Sequence, residues 1–358
     1  MKKRIRHILH LIKRKILYEN TVVPKLYLLG CKCHLFSSQI MIQMDGGICS
    51  QMHQYLLGRY YAKLGMRVVY NLGWFDRNGK DNNGIHTRTF ELTELFPGLD
   101  FEKGTGEWSA FYAKHFSATR NGAHFPLDVQ APAFLPGYYF YDDEKLYASL
   151  FREYFNLSSI VPSNKMDILE WEGTKCAIHV RRGDLAKMND PFYGKVTETY
   201  FRNSIKYVLD HFDNVKLFFF SDEMDWVEKN LSDMYESHPH RLVRGNAAYE
   251  DLNLMAHCDC FISSQGSAGK FAAMINGEGM LVISDDPHES VWAERYPQTH
   301  IEKNRHEYEH TPDHLQPSRP YCSGTLCHPG ATAGGPVCFS GRGARGPSGR
   351  PGEMCAGP

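Results

Sequence analysis

The sequence predicts an α/β protein built on parallel sheets, with a cleft between two domains. Between residues 175 and 286 short apolar runs alternate with amphipathic helical stretches, a pattern that implies repeated strand–helix–strand units and a parallel sheet covered on both faces. Polar residues cluster just after the apolar runs, where an open α/β sheet places its ligand crevice. The length, 358 residues, leaves room for two domains of ordinary size.

The first half is the less regular one. Gly46-Gly47 punctuates a turn, a helix is expected over 50–64, and a strand over 66–70. Aromatic residues are frequent over 111–147 but follow neither the helical nor the strand period, so residues 40–165 read as a first α/β domain without detailed elements. The second half reads more clearly. Strands are expected over 176–180, 215–220, 241–243, 260–262 and 280–283, with helices over 198–212, 226–234, 249–257 and 268–275 between them. The polar clusters at the strand ends are Arg181-Arg182-Gly183-Asp184, Ser221-Asp222-Glu223, Ser263-Ser264 and Ser284-Asp285-Asp286.

Composition excludes several function classes. Forty basic against forty-one acidic side chains give a net charge of -1, so no global basic field points to nucleic acid. No run of about 18 apolar residues is present, which predicts no membrane-spanning helix. The cysteines, ten in all, show no C-x-x-C spacing among the six before residue 300; Cys31-Lys32-Cys33 and Cys258-Asp259-Cys260 are too close-set for an ordinary structural zinc site, and free buried thiols are expected.

The two ends differ from the middle. Residues 1–17, within a first segment 1–39, place Ile5, Ile8, Leu9, Ile12 and Ile16 on one helical face with Lys and Arg around the rest. This reads either as a basic amphipathic helix on an anionic membrane surface or as a solvated helix packed on the protein; basic residues interrupt the apolar stretch that a signal peptide needs. Residues 315–358 hold ten of the 31 glycines, seven of the 18 prolines and a single acid, Glu353, and are expected to be a disordered tail without chemistry.

The strongest local signal is His179-Val180-Arg181-Arg182-Gly183-Asp184 at the end of a predicted strand. Adjacent guanidinium groups are costly unless an anion neutralises them, and the planar Arg fork suits phosphate. The alternative is a structural pair between one Arg and Asp184, with the other Arg in solvent. Ser264-Gln265-Gly266-Ser267-Ala268-Gly269-Lys270-Phe271 is not a P-loop, because Ser264 replaces its first glycine and Phe271 its final Ser or Thr. The acidic pairs Asp142-Asp143 and Asp285-Asp286 read as surface or structural groups rather than as metal ligands.

His179 to Asp184 resembles the H-x-R-R-x-D signature of the alpha-1,2-fucosyltransferases, glycosyltransferase family 11. Three further segments agree in order. Gly46-Gly47-Ile48-Cys49-Ser50-Gln51 with Gln54-Tyr55 resembles the family's G-G-x-G-N-Q-x-x-Q-Y; Phe220-Ser221-Asp222-Glu223 with Trp226-Val227 resembles F-S-D-D/E-x-x-W-V; and the stretch from Asp251-Leu252 to Ser263-Ser264 resembles the one ending in S-S-x-S-W-W-G-A. Two departures stand out: Cys49-Ser50 replaces Gly-Asn, and the segment Gly266-Ser267-Ala268-Gly269-Lys270 lacks both tryptophans.

The resemblance implies a GT-B-like enzyme with two Rossmann-like domains: an acceptor-side domain over 40–165 and a GDP-fucose-binding domain over 166–314. It implies inverting transfer of L-fucose from GDP-fucose to a glycan hydroxyl, O2 of galactose by preference, without a metal or other cofactor. Arg181 and Asp184 are the implied catalytic residues. His179, Arg182, Ser221, Asp222, Ser263, Ser264 and Ser267 are the implied donor-binding residues, and Gly46, Gly47 and Gln51 the acceptor-side loop. Asp184 and Asp190, the acids nearest the arginines in sequence, are the candidate proton acceptors; the alternatives are an orienting role for Asp184 toward the arginines and a solvated turn position for Asp190. The partners are then GDP-fucose and a galactose-containing glycan. The location implied is the cytoplasm, with peripheral contact to the inner membrane surface through residues 1–17, as in polysaccharide or O-antigen assembly. The departures keep two alternatives open, a nucleotide-sugar-binding protein without transferase activity and a fucosyltransferase of different linkage.

Overall fold

The computed structural model describes residues 22–77, 79–80, 87–118, 128–135, 144–183, 198–263, 266–284 and 300–304. The basic segment 1–17 and the tail 315–358 lie outside them. The chain opens with helix α1 (Val22–Lys32), strand β1 (Gln39–Gln43), helix α2 (Ile48–Lys63) and strand β2 (Arg67–Asn71). Helices α3 (Gly73–Arg77), α4 (Leu92–Leu95) and α5 (Gly106–His115), strand β3 (Ala133–Leu135) and helix α6 (Glu144–Tyr154) complete the first half. The second half runs β4 (Thr174–Val180), α7 (Glu198–His211), β5 (Val215–Ser221), α8 (Met224–Tyr235), β6 (His240–Val243), α9 (Ala248–Ala256), β7 (Cys260–Ser263), α10 (Ser267–Asn276), β8 (Met280–Ser284) and β9 (His300–Asn304).

Both sheets are wholly parallel, as the alternation of strands and helices predicts. In the first, β1 lies between β2 and β3, with Met41 level with Val69 on one side and Phe134 on the other. In the second, the order is β6-β5-β4-β7-β8-β9. Numbered from β4 within its own sheet, this is the 3-2-1-4-5-6 order of a doubly wound Rossmann-type sheet. The architecture is therefore the GT-B-like α/β class that the sequence implied. All nine elements expected between 176 and 283 are present, with ends within two residues of the expectation.

The run Leu217-Phe218-Phe219-Phe220 shows why the strands read as continuous apolar segments. Leu217 and Phe219 enter one core with Ile178, Val180, and Phe201 and Ile205 of α7. Phe218 and Phe220 enter the opposite core with Ala177, Phe261, and Leu252 and Phe271 of α9 and α10. A strand buried on both faces needs apolar side chains at every position rather than at alternate ones. That second core does not stop at the second sheet. It continues through Met52 and Tyr55 of α2 and Phe151 of α6 to Ile40 and Ile42 of β1. Phe151 meets Phe271 edge-on, with ring centroids 5.2 Å apart. Residues from the two sheets thus share one apolar core, and α2, placed between them, is buried over most of its length.

Eight elements were not expected from the sequence: helices α1, α3, α4, α5 and α6, and strands β1, β3 and β9. β1 reads Gln-Ile-Met-Ile-Gln, too short to show a period, and β3 has three residues. β9 reads His-Ile-Glu-Lys-Asn and pairs only at the edge of its sheet, beside β8. α6 follows the aromatic-rich stretch in which neither period prevails.

Candidate functional site

Strand order reverses between β4 and β7, which lie side by side but connect to opposite flanks of the sheet. The helices that follow them leave a crevice outside the strands' carboxyl ends, the usual ligand position in an open parallel sheet. His179, Arg181 and Arg182 come from the end of β4; Ser263 ends β7, and Gly266 precedes α10. The arginines therefore sit at the switch point because a seven-residue strand, buried at its centre, ends just before them.

Asp222, just past β5, organises this turn. It accepts a hydrogen bond from the Arg182 backbone N–H at 2.9 Å and pairs with the Arg181 guanidinium. Arg181 and Asp222 are both largely buried, so the pair is shielded from solvent. The structural partner of Arg181 is Asp222, one of the groups expected to meet the donor; Asp184 lies outside the described residues. Gly183 is fitted to this arrangement: a Cβ added there would overlap the Asp222 carboxylate and lie 3.4 Å from Arg181 Nη1. Arg182 points elsewhere. Its guanidinium carbon lies 4.1 Å from the centre of the Trp226 ring, and its Nε is 3.5 Å from Glu223. Ser221 donates to the Val180 carbonyl at 2.8 Å and accepts from the Glu223 N–H at 3.0 Å, tying the ends of β4 and β5 together.

On the other side of Arg181 stands the N-terminus of α10. A side chain at Gly266 would come within 3.2 Å of Arg181 Cγ, so the stem of the arginine lies directly against the helix start. The first N–H groups of a helix lack intrahelical partners and carry the positive end of its dipole. A guanidinium and a helix start converging on one crevice make a setting for an anion. Ser267 is the first residue of α10, and Ser263 donates to the Gly266 carbonyl at 3.4 Å. Ser264 lies outside the described residues.

His179 stands beside this crevice with its Nδ1 buried and without a hydrogen-bond partner among the described residues. Burial, and then the Arg181 charge, lower its pKa to about 4, so the ring is neutral at neutral pH. Next to it, at the ends of β5 and β6, a cleft of about 510 Å³ is lined by Asp222, Glu223, Trp226, Arg244, Asn246 and Asp251 among others. Asp251 accepts from Asn246 Nδ2 at 2.9 Å, and burial raises its pKa to about 6. Asp251, Trp226 and Arg244 were not singled out from the sequence, although Trp226 and Asp251 fall within segments that resemble the family's. Among the described residues, no three His, Cys, Asp or Glu side chains are grouped to hold a metal ion; Asp142, Asp143, Asp285 and Asp286 lie outside them, as does Asp190.

The first-half loop reaches the same place by another route. Gly46 adopts φ 72°, the left-handed conformation that favours glycine, and Gly47 caps α2. Cys49 is buried in the first turn of α2 and shares a hydrogen bond with the Ser267 side chain. Burial holds the thiol protonated, raising its pKa to about 12. The two departures from the family's pattern are thus in contact with each other. Gln51 does not present its amide to a ligand. Nε2 donates to the carbonyls of Gly46 at 3.2 Å and Thr89 at 2.9 Å, while Oε1 accepts from the N–H groups of Glu91 at 2.9 Å and Leu92 at 3.1 Å. All four hydrogen-bonding positions of the amide are occupied by backbone, so Gln51 is a brace that holds residues 89–92 against α2.

The chain is similar to several known proteins. The chain is 28% identical over 123 residues to an alpha-1,2-colitosyltransferase from Escherichia coli, a match covering 33% of this chain and 41% of that protein. The chain therefore matches less than half the length of that relative. Similar solved structures include NodZ alpha-1,6-fucosyltransferase soaked with GDP-fucose, at 13% identity over 67% of this chain and 93% of that one, with a TM-score of 0.37. POFUT1 in complex with GDP is 9% identical over 68% of this chain and 96% of its own, with a TM-score of 0.42. The model of glycosyl transferase family 11 matches residues 119–299, half of the chain, and this span holds the H-x-R-R-x-D segment, the Ser221-Asp222 segment and the β7–α10 turn, though not the Gly46-Gly47 loop. The chain belongs to glycosyl transferase family 11.

Proposed function

We propose that this protein is an inverting transferase that moves L-fucose from GDP-fucose to a hydroxyl of a glycan acceptor, with O2 of galactose as the site of attachment. The observation that carries the reading is the convergence of Arg181 and the α10 N-terminus on the switch-point crevice. As the bond from the anomeric carbon to the diphosphate breaks, negative charge gathers on the departing phosphate. Arg181, already oriented by Asp222, and the first N–H groups of α10 stabilise it in this reading. The cleft beside the crevice is large enough for a nucleoside and offers carboxylates that accept the ring and amino hydrogens of guanine, with Trp226, on which Arg182 stacks, in its wall. His179 meets the donor as a neutral ring, adding no charge of its own.

No metal enters this reading, because guanidinium and helix dipole supply the positive charge that a divalent cation would otherwise bring. The acceptor hydroxyl loses its proton as it attacks, and Asp184 and Asp190 are the proposed acceptors of that proton. The location proposed is the cytoplasm, with peripheral contact to the inner membrane surface through residues 1–17. Among the described residues, no helix is long and apolar enough to cross a membrane.

A second sugar has a specific observation in its favour, since the Escherichia coli relative is a colitosyltransferase. Incubating the purified chain with GDP-fucose or GDP-colitose and a panel of galactosides tests the reading. Transfer to galactose O2 from GDP-fucose is the expected result. Transfer from GDP-colitose alone changes the sugar and keeps the site. Donor binding without transfer or hydrolysis makes the chain a nucleotide-sugar-binding protein, and a product of other linkage moves the acceptor assignment.

A further inference from the structure

Helix α1 is apolar on two opposite faces. Its inner face is fixed by Tyr27, whose ring stacks on Phe36 at 5.8 Å, meets Phe111 edge-on at 5.7 Å, and shares a 2.7 Å hydrogen bond between its hydroxyl and that of Tyr112. Pro24 and Gly30 are buried on the same side. The outer face carries Val22, Leu26 and Leu29 at helical spacing, and the chain after the helix adds Leu35 and the exposed side of Phe36, whose ring otherwise packs on Tyr27 and Gly30. These five side chains are between 53% and 75% exposed, and Trp108 beside Tyr27 is 44% exposed. A helix face that is apolar at such spacing is ordinarily covered. Single exposed leucines need no explanation, whereas several together mark a contact surface.

The charge of the sequence that carries the patch decides what covers it. Residues 1–36 contain nine Lys or Arg and one acid, Glu19, in a chain whose totals are 40 and 41. Lys25 and Lys32 are exposed next to Leu26 and in the last turn, and no Asp or Glu occurs over 20–44. Two copies docked through this face would bring their lysines together. The tail over 315–358 has four Arg and one acid, so it carries the same sign. An anionic lipid bilayer is the partner that accepts both properties, taking apolar side chains into its interface and basic ones among its headgroups. Trp108 is suited to the margin of such a contact, where an amphipathic ring lies between the apolar and polar layers.

We propose that the outer face of α1, with Leu35, Phe36 and Trp108, is a docking surface for an anionic lipid bilayer. It extends the peripheral contact assigned to residues 1–17 onto the folded body and does not depend on the chemistry of the crevice.

Flotation of the full-length chain with phosphatidylcholine vesicles, with and without one quarter phosphatidylglycerol, tests this at low and high salt. The expected result is flotation with the anionic vesicles, weakened by salt. Leu26→Asp together with Leu29→Asp is expected to lower the partition coefficient about tenfold or more, and Lys25→Glu with Lys32→Glu to lower it at low salt only. GDP affinity and transfer to a soluble galactoside stay at the wild-type level in both, which separates failure here from failure of the fucosyl-transfer reading. Vesicle-induced blue-shifted tryptophan emission is expected to be lost in Trp108→Phe. Absence of flotation in the wild type overturns the proposal, as does wild-type flotation of the Leu26/Leu29 variant. So does conversion of a dimer to a monomer by that variant, which would make the face an interface between copies.

Discussion

Replacing Gly183 by alanine adds a single methyl group at the turn that holds both arginines. The new Cβ would overlap the Asp222 carboxylate, which has to retreat by about 1 Å to reach van der Waals distance. That carboxylate is not free to swing, because one oxygen accepts the Arg182 N–H at 2.9 Å and the other pairs with Arg181. One of these charge-assisted bonds must lengthen or break, at a cost of roughly 1.5–3 kcal/mol. If half of this cost appears as misplacement of Arg181 in the crevice, GDP binding weakens by a factor of about 4–13; the remainder lowers stability. Isothermal titration of GDP into wild-type and Gly183→Ala protein, with thermal unfolding beside it, reads both parts. Asp222→Asn is the companion: it keeps an acceptor for the Arg182 N–H and removes the charge that orients Arg181, so donor affinity is expected to fall further than stability. A folded Gly183→Ala protein with wild-type GDP affinity would refute the coupling of Gly183, Asp222 and Arg181.

Transfer is expected to survive excess EDTA; abolition by EDTA with rescue by manganese or magnesium would replace the arginine account with a metal-held diphosphate. Gln51→Leu leaves the carbonyls of Gly46 and Thr89 and two N–H groups without partners, and a loss of roughly 2–4 kcal/mol is expected in chemical denaturation with GDP affinity unchanged. His53, buried against Tyr147 and Phe271, has its pKa lowered by burial to about 3. The unfolded chain therefore binds a proton that the folded chain refuses, and this stability is present above about pH 6.5 and lost as pH falls toward 3. Between pH 7.5 and 4.5 the loss is roughly 2–3 kcal/mol, and unfolding curves of His53→Gln compared with wild type measure it. A variant with the same pH slope as wild type would assign the acid sensitivity elsewhere.

The second half of the fold was legible because each of its central strands is buried on both faces. Phe218 to Phe220 divide between two cores, and such strands stand out as unbroken apolar runs between amphipathic helices. The turns after these strands were legible for a related reason: parallel order carries every carboxyl end to one edge, so polar groups following the runs must gather there. Strand order itself was not. That β4 neighbours β7 rather than β6 depends on contacts between residues about 84 apart, such as Cys176 and Cys260, which no local pattern encodes. The roles of Asp222 and Gln51 were hidden for the same reason. Asp222 was expected to meet the donor and is found holding Arg181 and the Arg182 backbone, and Gln51 was expected at the acceptor and is found bracing residues 89–92. In both cases the residue type was visible in the motif, but the partner came from another element. Contact between Cys49 and Ser267 likewise joins two segments that the sequence presents as separate departures.

The central claim is that Arg181 stabilises the charge on the departing diphosphate. Single-turnover transfer of fucose from GDP-fucose to a soluble galactoside, measured in wild type, Arg181→Lys and Arg181→Ala at saturating donor, tests it most directly. Loss of such a donor costs roughly 2.7–4 kcal/mol, so the alanine variant is expected to be slower by about 100- to 1000-fold. Lysine restores the charge without the planar fork and is expected to recover only part of the rate. A folded Arg181→Ala protein that transfers fucose at the wild-type rate would contradict the account.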